Sequence, residues 1–189
     1  MNKIKSALAI AAIVISALPL MAQQKRISPH ETISEVFDGK RDNRVMIIYG
    51  RPYSKDPKTG EVRKIWGGLV PYDKVWRTGA DEATTLITQK GIIIGDTTIP
   101  AGAYTLFTVP SETGTSRLII NKKLGQWGIP YNEKEEAANE LARVDLKRDA
   151  TDKPVDQFTM ALEKNPAGGG LLKMTWETNM LSVAFTIPK

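Results

Sequence analysis

Short segments in which apolar and polar residues alternate recur along most of the chain, separated by Gly, Pro, Asn and Asp. The clearest segment lies near the end, where Leu181, Val183, Phe185 and Ile187 alternate with small or polar residues. Successive side chains of a strand point to opposite faces of a sheet, so this spacing predicts a strand with one buried face. Many short strands of this kind predict an all-β domain.

The same pattern predicts nine strands in all. Six precede the C-terminal part of the chain, at residues 45–49, 84–88, 92–94, 104–109, 117–120 and 144–147. The last three, at 158–162, 172–176 and 181–187, would form a meander through turns at 165–170 and 178–179. Nine strands are enough for two packed sheets, which predicts a β-sandwich. The pattern fits a jelly-roll-like and an immunoglobulin-like arrangement equally.

One segment, 133–143, has the features of an α-helix. Asn132 can cap it, Glu135 stands at the capping-box position, and Arg143 lies in the last turn. We therefore expect one short α-helix near residues 133–143, packed on a sheet edge or over one end of the sandwich. Its four acidic residues are expected to form a solvated face.

The N-terminal segment has the layout of a secretory signal. Lys3 and Lys5 precede an apolar run over 7–18, and cleavage is predicted after Ala22. The alternative is a membrane anchor, but the run is shorter than the roughly 20 apolar residues that span a bilayer. We predict a signal peptide at 1–22 and a single exported β-sandwich domain at 23–189, in the periplasm or outside the cell. No Cys is present to carry a lipid, and no membrane insertion of the mature chain is expected.

Composition excludes several chemistries. The 189 residues include no Cys and one His, which leaves no ligand set for a structural zinc site and no thiol nucleophile. No nucleophile elbow, phosphate-binding loop or dinucleotide-binding glycine motif occurs, and no metal or cofactor is predicted.

Charge points away from nucleic acid. Loss of Lys3 and Lys5 with the signal lowers the net charge from +5 to +3, and the chain has no long basic run. Residues 40–77 nevertheless hold ten basic groups and four acidic ones. This excess can steer an anionic ligand, or it can belong to a solvated loop.

Aromatic and charged residues concentrate in the stretch 65–85, IWGGLVPYDKVWRTGADEATT, and in YGRP at 49–52. Core packing alone does not explain this mixture, because Trp and Tyr carry polar tips and enclosed charges need partners. The predicted pocket consists of Tyr49, Arg51, Trp66, Trp76, Arg77, Thr78, Asp81 and Glu82.

Two interpretations of this stretch are open. In the first, Arg77 and Arg51 hold an anion or carboxylate while Asp81 and Glu82 act as general acid or base. In the second, a turn at Gly79 brings Arg77 to one of the two carboxylates, and the buried network fixes a long connection onto the sandwich.

Longer motifs extend the pattern: YGRP at 49–52, RKIWGGLVPYDKVWRTGADEAT at 63–84, PAGAYTLFTVP at 100–110, WGIPY at 127–131 and FTMAL at 158–162. With them the chain resembles the domain-of-unknown-function family 2911, whose members are exported proteins of Gram-negative bacteria. The resemblance implies export and a single domain, and it implies no particular activity. The family pattern usually has Asn where this chain has Asp81, which weakens any scheme that uses Asp81 as a charged base.

These observations favour a ligand-binding module for a sugar or a small anionic molecule. One alternative is a hydrolase or lyase that uses Asp81 or Glu82 with Arg77. Another is a structural envelope protein without a small-molecule site. The expected partner is a small-molecule or glycan ligand, and the sequence indicates no protein partner.

Overall fold

The computed structural model describes residues 26–188, so the predicted signal peptide at 1–22 lies outside the described residues. Ten strands account for most of the regular structure. They are β1 (His30–Val36), β2 (Arg44–Gly50), β3 (Thr84–Thr88), β4 (Ile92–Ile94), β5 (Thr97–Ile99), β6 (Gly102–Val109), β7 (Arg117–Asn121), β8 (Glu140–Asp145), β9 (Lys147–Lys164) and β10 (Gly170–Thr186).

The strands form two antiparallel sheets that share one core. The six-stranded sheet has the order β1-β2-β3-β6-β7-β8, and the four-stranded sheet has the order β5-β4-β10-β9. Alternate residues of both sheets, such as Ile47 of β2 and Met174 of β10, are buried between them. Burying each large apolar side chain contributes about 1.5–3 kcal/mol to folding. The predicted all-β sandwich is confirmed.

A second, smaller apolar cluster lies on the outer face of the six-stranded sheet. Phe107 and Ile119 point outward from adjacent strands and pack with Ala83. Tyr131 covers them, with its ring 4.8 Å from that of Phe107. The loop that follows β7 is thereby held against the sheet.

The C-terminal strands differ from the predicted meander. β9 and β10 form one long hairpin, and the turn predicted at 178–179 lies inside β10. The pairing register shifts on both sides of Glu177, whose φ is 52°. The residues of the predicted turn therefore lie in a β-bulge, which bends the strand without ending its pairing. The turn predicted at 165–170 does connect two strands, through a 3.1 Å bond from the Asn165 N–H to the Gly169 carbonyl.

The short helix is confirmed, but it ends earlier than predicted. Helix α1 (Glu133–Glu136) has the Asn132 side chain as its cap, and a 3₁₀ turn, Ala137–Asn139, follows. From Glu140 the chain is strand β8, in which Ala142 pairs with Ile120. Pairing along the edge of β7 outweighs the helix propensity of this segment, because propensity is a weak preference that tertiary contacts override.

One acidic residue of α1 departs from the expected solvated face. Glu136 is buried and accepts hydrogen bonds from Asn121 Nδ2 at 3.1 Å and Lys123 Nζ at 2.7 Å. Its carboxylate therefore attaches the helix to the end of β7.

Strands β1 and β5 were not predicted from the apolar pattern. β1 contains only two large apolar residues, Ile33 and Val36, and β5 has three residues. Both are edge strands. β1 has no buried side chain and β5 is too short to alternate, so neither shows the pattern on which the prediction depends. No helix within residues 26–188 is long and apolar enough to cross a membrane.

Candidate functional site

The long connection between β2 and β3, residues 51–83, carries most of the predicted site residues. Its first part pairs with the edge of β9, where the Phe158 N–H donates to the Pro52 carbonyl at 2.9 Å and Ser54 N–H to that of Asp156 at 2.6 Å. Its last part rejoins the other sheet, because Trp76 exchanges two backbone hydrogen bonds of 2.8 Å with Thr108 of β6. The connection therefore closes one side of the sandwich.

The aromatic residues of the predicted pocket form part of the core. Trp76 is 9% exposed and stacks on Trp176, which is fully buried, with ring centroids 6.0 Å apart. Trp66 meets both rings edge-on at 6.2 and 6.3 Å, and Phe158 lies 5.0 Å from Trp76. The indole N–H of Trp76 donates to the Gly79 carbonyl at 3.2 Å. This cluster anchors the connection and fixes the turn that follows Trp76.

Two glycines allow the YGRP and WRTGA motifs to pack backbone against backbone. A Cβ at Gly50 would lie 2.1 Å from the Ala80 carbonyl oxygen, and a Cβ at Gly79 would lie 2.8 Å from the Gly50 oxygen. The Ala80 N–H donates to the Gly50 carbonyl at 3.2 Å. Only glycine permits so close an approach.

Thr78 shapes the turn from inside the protein. It is fully buried with a φ of 58°, a conformation that is unfavourable for a β-branched residue. Its hydroxyl lies 2.8 Å from that of Thr108, and its carbonyl accepts from the Thr84 hydroxyl at 2.7 Å. These bonds hold the strained residue in place and occupy its polar groups.

The carboxylates at the end of the turn are paired with a residue that the sequence pattern did not indicate. Arg26 donates two hydrogen bonds to Glu82, one of them between Nη2 and Oε1 at 2.6 Å. These bonds hold the pKa of the Glu82 carboxyl at about 2, well below its usual 4.5. His30 Nε2 lies 3.5 Å from an oxygen of Glu82 and 3.5 Å from one of Asp81.

Asp81 is partly enclosed by the same N-terminal residues. Its Oδ2 is buried without a hydrogen bond, 3.5 Å from His30 Nε2 and 3.9 Å from Arg26 Nη1. The side chain as a whole is 28% exposed, so its exposed part lies on Oδ1 and the carbon atoms. His30 and Arg26 therefore screen one side of this carboxylate.

Arg77 lies near both carboxylates, but it pairs with neither. Among residues 26–188 it forms no ion pair within 4.0 Å. Arg26, and not Arg77, pairs with the carboxylates of Asp81 and Glu82. Its Nη1 donates to the Trp127 carbonyl at 3.3 Å, and its guanidinium carbon lies 5.1 Å from the Trp127 ring centre. Burial lowers the pKa of Arg77, and the negative charges of Asp81 and Glu82 oppose that effect.

Tyr49 and Arg51 serve to join the two sheets. The Tyr49 hydroxyl donates to Glu31 at 2.6 Å and accepts from the Met160 N–H of β9 at 2.9 Å. Arg51 lies 3.3 Å from the same Glu31 oxygen and donates to the Phe158 carbonyl at 3.1 Å. Burial and the hydrogen bond to Glu31 raise the pKa of Tyr49. The polar groups of both residues are therefore occupied within the fold.

A cavity of about 320 Å³ opens beside Arg77. Trp76, Arg77 and Asp81 of the predicted pocket line it, together with Ile27, Arg63, Leu69, Ile129 and Trp176. Glu82 and Tyr49 line a separate hollow of about 240 Å³ with His30. Three of the eight predicted residues thus line one cavity. Of the others, Trp66 and Thr78 pack in the core, Tyr49 and Arg51 join the two sheets, and Glu82 lines the neighbouring hollow.

The family assignment depends on a match that covers nearly all of the ten strands. A family model described as "Protein of unknown function (DUF2911)" matches residues 28–185. The chain belongs to this family. The matched range of this DUF2911 protein contains all eight predicted site residues, and it begins two residues after Arg26. No curated protein and no solved structure matches the chain.

Several residues of the DUF2911 cavity were missed by the sequence analysis. Arg63 is the first residue of the 63–84 motif, Ile129 lies in the WGIPY motif at 127–131, and Trp176 lies in β10. The motifs at 63–84 and 127–131 were the available signals. The second places Ile129 at the cavity and Trp127 against Arg77.

The described part of this DUF2911 protein contains no group of three or more His, Cys, Asp or Glu side chains arranged to hold a metal ion.

Proposed function

We propose that this DUF2911 protein is a binding module whose cavity beside Arg77 takes a small anionic molecule. The observation that carries the proposal is Arg77 itself, a half-buried cation in the cavity wall without an ion-pair partner among residues 26–188. Burying a cation without a counter-ion costs free energy, and a bound anion offsets that cost. Arg63, whose Nε is buried without a hydrogen bond, adds a second cation to the wall.

The geometry gives less support to a sugar. Sugars are commonly held on the open face of an aromatic ring, with polar groups nearby. Trp76 and Trp176 are buried in the core, so little of either ring is open to a ligand. Trp127 is exposed, but the Arg77 guanidinium lies near its ring.

An enzymatic role and a purely structural role also have less support. A hydrolase or lyase would need a carboxyl group whose pKa lies close to the working pH, whereas Arg26 holds that of Glu82 at about 2. A purely structural role for the motif would use Arg77 in an ion pair. In this fold Arg26 and Arg51 form the ion pairs instead.

The same proposal includes export to the periplasm or the extracellular medium. Its support is the charged start, the short apolar run and the small residue at the predicted cleavage point.

Calorimetric titration of the exported protein tests the binding proposal. The probes are benzoate, succinate and phosphate, with glucose as the neutral comparison. We expect Arg77→Gln to weaken the binding of an anion by about tenfold or more, because a charge-assisted hydrogen bond is lost. The control is Arg117→Gln, since Arg117 is an exposed arginine outside the cavity that pairs with Asp145 at 3.6 Å.

Circular dichroism establishes that both variants are folded. Anion binding that is unchanged in Arg77→Gln, or binding of glucose alone, would contradict the proposal.

A further inference from the structure

The walls of the cavity are mainly apolar. Leu69, Val70 and Ile129 line it with two indole side chains, and prolines complete the wall. An inorganic anion would leave these surfaces in contact with water. An apolar ligand body would cover them, at a gain of roughly 25 cal/mol for each Å² buried.

The rim of the cavity is apolar as well. Ile27, Leu69 and Ile129 are 53%, 49% and 44% exposed, and all three line the opening. They are three of the seven large apolar side chains that are exposed in residues 26–188, and Trp127 beside Arg77 is a fourth. Single exposed apolar residues are ordinary, whereas a group of them around one opening marks a binding surface.

The charges of the wall favour one negative group on the ligand. Arg63 and Arg77 are cationic, and Asp81 is the one carboxylate that lines this cavity. A second negative group on a compact ligand would approach Asp81 and be repelled. Asp81 Oδ2 is buried between His30 and Arg26, which leaves Oδ1 as the exposed oxygen of this carboxylate.

The volume limits the size of the ligand. A water molecule occupies about 30 Å³ of the liquid, so a cavity of about 320 Å³ holds roughly ten atoms of similar size. This is the lower end of the range for small-molecule sites.

We propose that the ligand is a compact amphipathic monocarboxylate, with its carboxylate on Arg77 and its apolar body between Leu69, Ile129 and the indoles of Trp76 and Trp176. This inference rests on the proposed function and adds to it the apolar body and the single charge.

Calorimetric titration with three matched probes tests the inference. 3-Phenylpropanoate carries both features, acetate lacks the apolar body, and 3-phenyl-1-propanol lacks the charge. We expect 3-phenylpropanoate to bind at least tenfold more tightly than either of the others. Leu69→Ser should weaken 3-phenylpropanoate about fivefold and leave acetate unchanged. The control is Leu124→Ser, because Leu124 is equally exposed and does not line the cavity.

The outcomes separate the inference from the proposed function. If acetate binds as tightly as 3-phenylpropanoate, with both sensitive to Arg77→Gln, the apolar body is wrong and the anion site stands. If the alcohol binds as tightly as the acid and Arg77→Gln has no effect, the anion site itself is wrong. If none of the three probes binds, the inference is overturned, and the proposed function is overturned with it when benzoate, succinate and phosphate also fail to bind.

Discussion

The carboxyl group of Glu82 owes its low pKa mainly to one side chain, that of Arg26. The folded pKa, about 2, lies below the usual 4.5, so the pair stabilises the fold above about pH 4.5. That contribution is lost as the pH falls through the folded pKa. Both side chains are 42% exposed, so solvent and salt keep the contribution small.

Replacing Arg26 should restore ordinary titration of Glu82. We expect the Glu82 midpoint to rise from about 2 toward 4.5 in Arg26→Gln, because both hydrogen bonds to the carboxylate are removed. The measurement is a titration of the side-chain carboxyl carbon by nuclear magnetic resonance. Arg117→Gln should leave the midpoint unchanged, and a midpoint that stays near 2 in Arg26→Gln would refute the assignment to Arg26.

Three of the predicted residues come together at one cavity, and they are those whose chemistry and position coincide in one motif. Trp76, Arg77 and Asp81 stand within six residues of one another, and the mixture of aromatic and charged types singled them out. Arg26 carries no such local signal, and Arg63 begins the 63–84 motif but lies outside its aromatic and charged stretch. Their positions depend on an N-terminal segment and a loop that fold back onto the turn, which is a property of the tertiary structure.

At the scale of elements, regularly alternating strands with two neighbours were predicted well. β10 also has two neighbours, but its bulge led to a prediction of two strands. β3 has the predicted bounds because alternate residues of this central strand are buried. The end of α1 was missed because the residues of β8 satisfy a helical pattern as well as a strand pattern. The edge of β7 decides between them, and no local pattern shows that edge.

The junction of β1, β2 and β9 depends on the Tyr49 hydroxyl. We expect Tyr49→Phe to lower the free energy of unfolding by about 1–3 kcal/mol, because the buried Met160 N–H loses its acceptor. Urea denaturation measures this change. Tyr53→Phe is the matched control, since the Tyr53 hydroxyl makes no hydrogen bond with any described residue.

A loss below about 0.5 kcal/mol in Tyr49→Phe would show that water or a neighbouring group replaces the hydroxyl. An equal loss in Tyr53→Phe would show that the effect is general to tyrosines of this region.

At the scale of the whole molecule, a two-residue period along the chain was sufficient to predict a sandwich. The order of strands within each sheet was not predictable in the same way, because strand order depends on long-range pairing. The crossing of residues 51–83 from one sheet to the other is the clearest case. Its apolar and polar residues do not alternate regularly, because one end pairs with β9 and the other with β6.

The proposed export predicts a defined mature chain. Mass spectrometry of the protein from the periplasm or medium of a Gram-negative host should show Gln23 as the first residue, because cleavage is predicted after Ala22. Ile13→Arg interrupts the apolar run and should leave the chain uncleaved in the cell. An intact chain in the membrane fraction would favour a membrane anchor instead.

The direction of β1 separates the two ends of the described chain. Ile27 and Ser28 line the cavity just before β1 begins, whereas Pro188 lies with Asp38 and Lys40 beyond its other end. Seven residues of strand at about 3.4 Å each place roughly 20 Å between these points. An affinity tag or fluorescent reporter fused near Arg26 would therefore obstruct the opening, while one attached after Pro188 leaves it accessible for immobilised or imaging assays.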